Sequence, residues 1–248
     1  SHILAPFPYR NAADQVIYAI SEGGIATSRS ANLTRYLENG MPDKQYQEKD
    51  IEWGRSVFSE IVAVEVLRRT LPIFDDCRQI ELRHAPTAFD RSTPSFDSPH
   101  YQKGGDLLIF ENWGPEKNPL LLIDVTTGTR NEIKEKENKL GLNTLTEMPV
   151  VVFPIAEVPL LIGGHDSLSP LPFAQTLEHL KNDFIKTNGK LRFQITHESK
   201  LQIKEMVLNA LKKTKGHLAY IVEKPVQQHA VQAKHAFEKI EYLESIIS

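Results

Sequence analysis

Apolar and polar positions follow three rhythms along this chain. Between Ile51 and Leu71, Val57, Ile61, Val64 and Leu71 recur at helical spacing, with Phe58 and Val62 beside them. Pro72 cannot continue such a run, so the pattern predicts a helix over 51–71. Arg78–His84 alternates apolar and polar residues, as a half-buried strand does. Leu107–Phe110 and Leu120–Val125 are short apolar runs, the second interrupted only by Asp124. Each is too short for a helix and rich in branched or aromatic residues, which predicts buried strands. Asn112–Pro119 between them carries Gly114 and Pro115, so 104–126 reads as a β-hairpin closed by a turn. A charged helix follows over Asn131–Leu142, and Pro149–Ala156 is a further buried strand. The expected fold class is α/β, a mixed central β-sheet flanked by helices.

On either side the rhythm is weaker. Ala12–Ser21 and Ser30–Asn39 predict short helices, the second capped by Ser30 and stopped by Gly40. Residues 1–50 read as a helical extension to a core over 51–156. Ala85–Lys103 is irregular, with Pro86, Pro94 and Pro99, and a loop of that length is often functional. It runs into Gly104-Gly105-Asp106. Residues 157–248 predict a helix over Phe173–Thr187, an edge strand over Lys190–Thr196, a helix over Ser199–Lys215, a strand over His217–Val222 and a last helix over Val226–Ile247. That alternation is expected to continue the sheet of the core.

Composition narrows the classes. A chain of 248 residues can bury a substantial core. Its formal net charge of −3 argues against a basic coat protein for nucleic acid. Cys77 is the single cysteine, which excludes an internal disulfide and a cysteine zinc cluster and suits a reducing, cytoplasmic setting. No apolar run is long enough to span a bilayer, so no membrane role is expected. The opening Ser1-His2, without Met, reads as an expression remnant, with the native start expected elsewhere.

The chemistry centres on acids in apolar surroundings. Asp106 opens the first hairpin strand and Asp124 lies near the end of the second. A carboxylate beside a buried strand must be hydrogen-bonded, paired or bound to a cation. Two on adjacent strands could share a hard cation such as magnesium. Each alone could equally cap a loop or end a strand beside Arg130. Glu60 and Glu65 lie on opposite margins of the 51–71 stripe, where a carboxylate can reach the helix–sheet seam; Glu65 could instead pair with Arg68 or Arg69. Gly163-Gly164-His165-Asp166 holds a His-Asp pair that reads as a polar loop. The lysines of 199–215 could touch a phosphate backbone or form a solvated face.

In order and pattern, residues 51–156 resemble the PD-(D/E)xK nuclease superfamily, the restriction-endonuclease-like fold. The elements that carry the resemblance are a helix with an inward Glu, a strand, a strand starting at Asp106, and a strand bearing Asp124. The resemblance implies that Gly105-Asp106 stands for the PD pair and Asp124-Val125-Thr126 for (D/E)xK. It implies a divalent metal, magnesium or manganese, on Asp106 and Asp124. Glu60, by its spacing to Leu67, is the first choice of helix acid, and Glu65 the second. Gly105 replaces the Pro, which only shapes backbone. Thr126 replaces the Lys, and a neutral hydroxyl cannot neutralise a phosphate. The missing cation would then come from Lys134, Lys136 or Lys103. The implied activity is metal-dependent hydrolysis of phosphodiester bonds, with nucleic acid, DNA first, as partner and two copies pairing to cut two strands. Two alternatives stand beside it: a nuclease-like fold that binds nucleic acid or a protein without cutting, and an unrelated α/β protein whose two aspartates coincide.

Overall fold

A computed structural model of the chain describes residues 28–74, 80–84, 105–113, 116–139, 142–143, 148–162, 171–187, 189–223 and 227–248. The expected helix at Ala12–Ser21, the loop Ala85–Lys103 with Lys103, the lone Cys77 and Gly163–Asp166 lie outside the described residues.

The five strands are β1 (Ile80–His84), β2 (Leu107–Trp113), β3 (Glu116–Thr126), β4 (Leu142–Asn143) and β5 (Met148–Pro154). They form one sheet in the order β1-β2-β3-β5-β4. β1–β2, β2–β3 and β4–β5 are antiparallel, and β3–β5 is parallel. The sheet is therefore mixed, as expected. The parallel pair demands a crossover, which carries helix α3 (Arg130–Lys139).

The hairpin differs from its expectation in one respect. Its strands continue through most of Asn112–Pro119, with Trp113 facing Glu116 across the ladder. Pro119 is tolerated inside β3 because the register slips there. Ile109 faces Leu121 but Phe110 faces Pro119, so Leu120 is the extra residue of a bulge.

Helices α1 (Ser28–Glu38) and α2 (Glu48–Thr70) pack closely together. Gly54 permits this approach: a Cβ there would stand 2.0 Å from the Asn32 carbonyl oxygen. Residues 57–67 of α2 are all buried, including Glu60 and Glu65. Phe58 lies tilted against Tyr36 of α1 at 5.7 Å and edge-on to Phe184 of α4 (Phe173–Lys186) at 5.5 Å.

Two expectations for the C-terminal third are corrected. His217–Val222 is no strand: it is the last part of α5 (His197–Glu223). Ile203, Val207, Leu211, Thr214 and Leu218 are buried at spacings of three and four, so one helical stripe runs through the segment. Lys190–Thr196 is no edge strand either. Leu191 and Phe193 are buried while Arg192 and Gln194 are exposed, as the alternation requires, yet the backbone makes only an isolated bridge, Leu161 to Gln194. Helix α6 (Gln227–Ile247) packs on α5 and reaches β3 and β5. One apolar cluster runs from Leu33 to Ile247, and a smaller one holds Leu108, Phe110, Leu122, Met148 and Val150. No helix among the described residues is long and apolar enough to cross a membrane.

Candidate functional site

The site grows from the start of β2 and the end of β3. The Asp106 N–H donates to the Ile123 carbonyl at 2.8 Å. Its Oδ2 accepts the N–H of Val125 at 2.9 Å. Asp106 is thereby pinned to the backbone on both sides of Asp124. The residue before it must be small: a Cβ on Gly105 would stand 2.7 Å from Leu122 Cβ. Leu122 belongs to the smaller core, so a Pro could not sit at 105 without moving it.

Asp124 pairs with Val152 in the parallel ladder. Its side chain is 13% exposed, and Oδ1 accepts a hydrogen bond from Lys136 Nζ at 2.8 Å. Burial raises the Asp124 carboxyl above the ordinary carboxylate range, Lys136 pulls it back, and the charge of Glu60 adds to the rise. Burial prevails, so the carboxyl binds its proton more tightly in the folded chain than in an unfolded one.

The turn after β3 explains how Lys136 arrives. Thr126 is buried, and its hydroxyl oxygen accepts the N–H of Gly128 at 3.2 Å. Thr129 then caps α3. The Glu132 carboxylate reaches back to the Thr129 N–H at 2.5 Å and accepts its hydroxyl at 2.9 Å. This is the glutamate half of a capping box over Thr129-Arg130-Asn131-Glu132, with the Thr129 hydroxyl turned to the same carboxylate, and these bonds hold the Glu132 carboxyl below its usual range. With the start of α3 fixed, Ile133 points into the core and Lys136, three residues on, lies over the sheet. Lys134 falls roughly 200° around the helix from Lys136 and is exposed. At the far end of α3, Glu137 forms an ion pair with Lys213 of α5.

Of the expected residues, the fold gathers Asp106, Asp124, Thr126 and Lys136, with Glu60 near enough for its charge to act on Asp124. Glu65 is occupied elsewhere. Arg69 Nε donates to it at 2.6 Å, and the same guanidinium donates to the carbonyl of Phe193 at 3.2 Å and lies over the Phe193 ring. Among the described residues, no three of His, Cys, Asp and Glu group as a metal site would require. The lysines of α5 are also largely engaged: Lys204 donates to the Ser248 carbonyl, Lys213 pairs with Glu137, and Lys215 pairs with Glu241 and Glu244.

Two contributors escape the motif-based reading. The capping box was available as Thr-x-x-Glu at 129–132. Lys213 had no local signal, because its partner lies on a helix distant in sequence. In comparison with known proteins, the chain matches no family model, no curated protein and no solved structure.

Proposed function

We propose that the protein is a divalent-metal-dependent nuclease that hydrolyses phosphodiester bonds, with DNA as its substrate class, on a restriction-endonuclease-like core. One observation carries the reading: the ammonium of Lys136 lies 2.8 Å from Asp124 Oδ1. A cation thus reaches the strand end where Thr126 stands in place of the lysine of the superfamily.

The donor chemistry fits magnesium or manganese, because Asp106, Asp124 and Glu60 offer only hard carboxylate oxygens. Magnesium is commonly held by one or two carboxylates, with water and substrate phosphate completing its shell. A trio of protein acids is therefore not required. Asp124 and Asp106 would hold the ion, and Glu60 would add charge from behind. When bound, the ion supplies an activated water and relieves phosphate charge. Lys136 neutralises the charge that builds on the phosphate oxygens as the new bond forms. Its side chain is 43% exposed, so it can turn from Asp124 to a substrate. Thr126 supports the turn that delivers it, and Lys134 and Glu65 take no part.

The absence of a three-acid group among the described residues favours one second reading, a nuclease-like fold that binds nucleic acid without cutting it. Cleavage of labelled single-stranded and duplex DNA in magnesium or manganese separates the two. The expected result is cleavage that a chelator and Asp124→Asn both abolish. Nucleic-acid binding without cleavage would leave the second reading, and neither metal nor nucleic-acid binding would remove both.

A further inference from the structure

Beside the Asp124–Lys136 pair is a cavity of about 270 Å³, lined by Glu137, Val150, Val152, Ala210, Lys213, Thr214 and His217. Its position follows from the sheet. Val152 is the ladder partner of Asp124 and Val150 that of Leu122, so the floor is the strand next to the candidate site. One interstrand step is roughly 4.8 Å. Glu137 directly follows Lys136 on α3, and its ion pair with Lys213 joins α3 to α5 beside the opening.

The lining is mixed in a particular way. Val150, Val152 and Ala210 are apolar. Around them stand a carboxylate that accepts, an ammonium that donates, and the flat imidazole of His217, which can do either. Thr214 donates to the Val150 carbonyl at 3.5 Å and keeps lone pairs to accept. A bare phosphate is a poor occupant, because the floor is apolar and Glu137 would repel it. A purely apolar ligand would strand the polar rim. A heteroaromatic ring with donors and acceptors on its edge satisfies both parts.

We infer that this cavity takes the nucleobase of the nucleotide next to the scissile phosphate, so that the substrate is single-stranded or locally unpaired nucleic acid. The inference rests on the nuclease reading for the phosphate at Asp124 and Lys136. A paired base is held in its stack and cannot enter a pocket without being turned out. The volume, near the lower end for small-molecule pockets, suits one nucleoside unit.

The test is binding measured by fluorescence anisotropy in chelator, where no cleavage intervenes. The probes are a labelled single-stranded DNA oligonucleotide and the duplex of the same sequence. The single strand should bind more tightly than the duplex. Ala210→Phe fills the cavity from a helix face and should weaken single-strand binding about tenfold or more, the scale of one stacked base. Duplex binding should stay as it was. His217→Ala, at an exposed position, should weaken the single strand in the same direction and decides the matter if Ala210→Phe melts early. Equal affinity for both probes, or wild-type single-strand binding by a folded Ala210→Phe and by His217→Ala, would overturn the inference. Cleavage in magnesium by the same preparations bears on the nuclease reading alone, so the two can fail separately.

Discussion

Glu65 and Asp124 are both shielded carboxylates beside a basic partner, and they are not alike. Glu65 and Arg69 are four residues apart on one helix. Arg69 also donates to backbone carbonyls and covers an aromatic ring, so its guanidinium is held on several sides. Asp124 and Lys136 come from a strand and the helix after it, and they share one hydrogen bond. Lys136 has a flexible stem, a half-exposed side chain and a cavity next to it. The first pair is a staple that holds α2 to the segment around Leu191 and Phe193. The second is a charge that can be redirected. Burial of an ion pair thus says little about its role; the number of further restraints on the base says more.

The comparison can be broken at several points. The largest expected effect is on catalysis. Lys136→Ala should lower metal-dependent cleavage by about 10²–10³-fold, as loss of one charge-stabilising group does. Its cost in stability should be about 1 kcal/mol, because the half-exposed lysine makes one hydrogen bond to a carboxyl that burial already inclines to hold a proton. Cleavage rates and denaturant unfolding of the same preparation check both halves. Arg69→Ala should do the reverse. It leaves buried Glu65 without its guanidinium and two carbonyls short of a donor, which should cost about 2 kcal/mol of stability after discount for the exposure of Arg69. Urea unfolding reads this, and cleavage by the folded fraction should be unchanged.

The smallest effect concerns pH. The Asp124 carboxyl titrates above its unfolded value, with burial as the main cause. The stability it contributes is complete below the unfolded value and is lost as pH rises through the folded one. Asp124→Asn removes that loss. The variant should therefore melt higher than the wild type at neutral pH, and the gap should close in acid. Thermal melts across pH in chelator measure it. A gap that widened in acid would mean that Lys136, not burial, governs the carboxyl.

Much of this contrast was legible in the residues. The hairpin showed as two apolar runs, and α2 as a stripe ended by Pro72. Asp106 and Asp124 stood out because acids are costly in such company. The rest depended on distances that a local pattern does not carry. Lys134 and Lys136 could not be told apart until the capping box fixed where α3 begins. Glu60 and Glu65 both lie on buried turns of α2, and only the reach of Arg69 separates their roles. His217–Val222 looked like a strand because the five apolar and aromatic residues after His217 conceal a stripe that started at Ile203. Lys190–Thr196 had the alternation of a strand but found no neighbouring backbone beyond one bridge.

The most direct test of the central claim, that Lys136 supplies the cation absent at Thr126, is a rescue. Single-turnover cleavage of labelled single-stranded DNA in magnesium is compared for the wild type, Lys136→Ala, Thr126→Lys and the double variant, with magnesium affinity measured on each by calorimetry. The expected result is slow cleavage by Lys136→Ala and partial recovery when Thr126→Lys is added, with magnesium bound throughout. Recovery should be partial because the new lysine forfeits the hydroxyl that accepts from Gly128. Wild-type cleavage by Lys136→Ala, or a double variant that binds magnesium yet cuts no faster than Lys136→Ala, would contradict it.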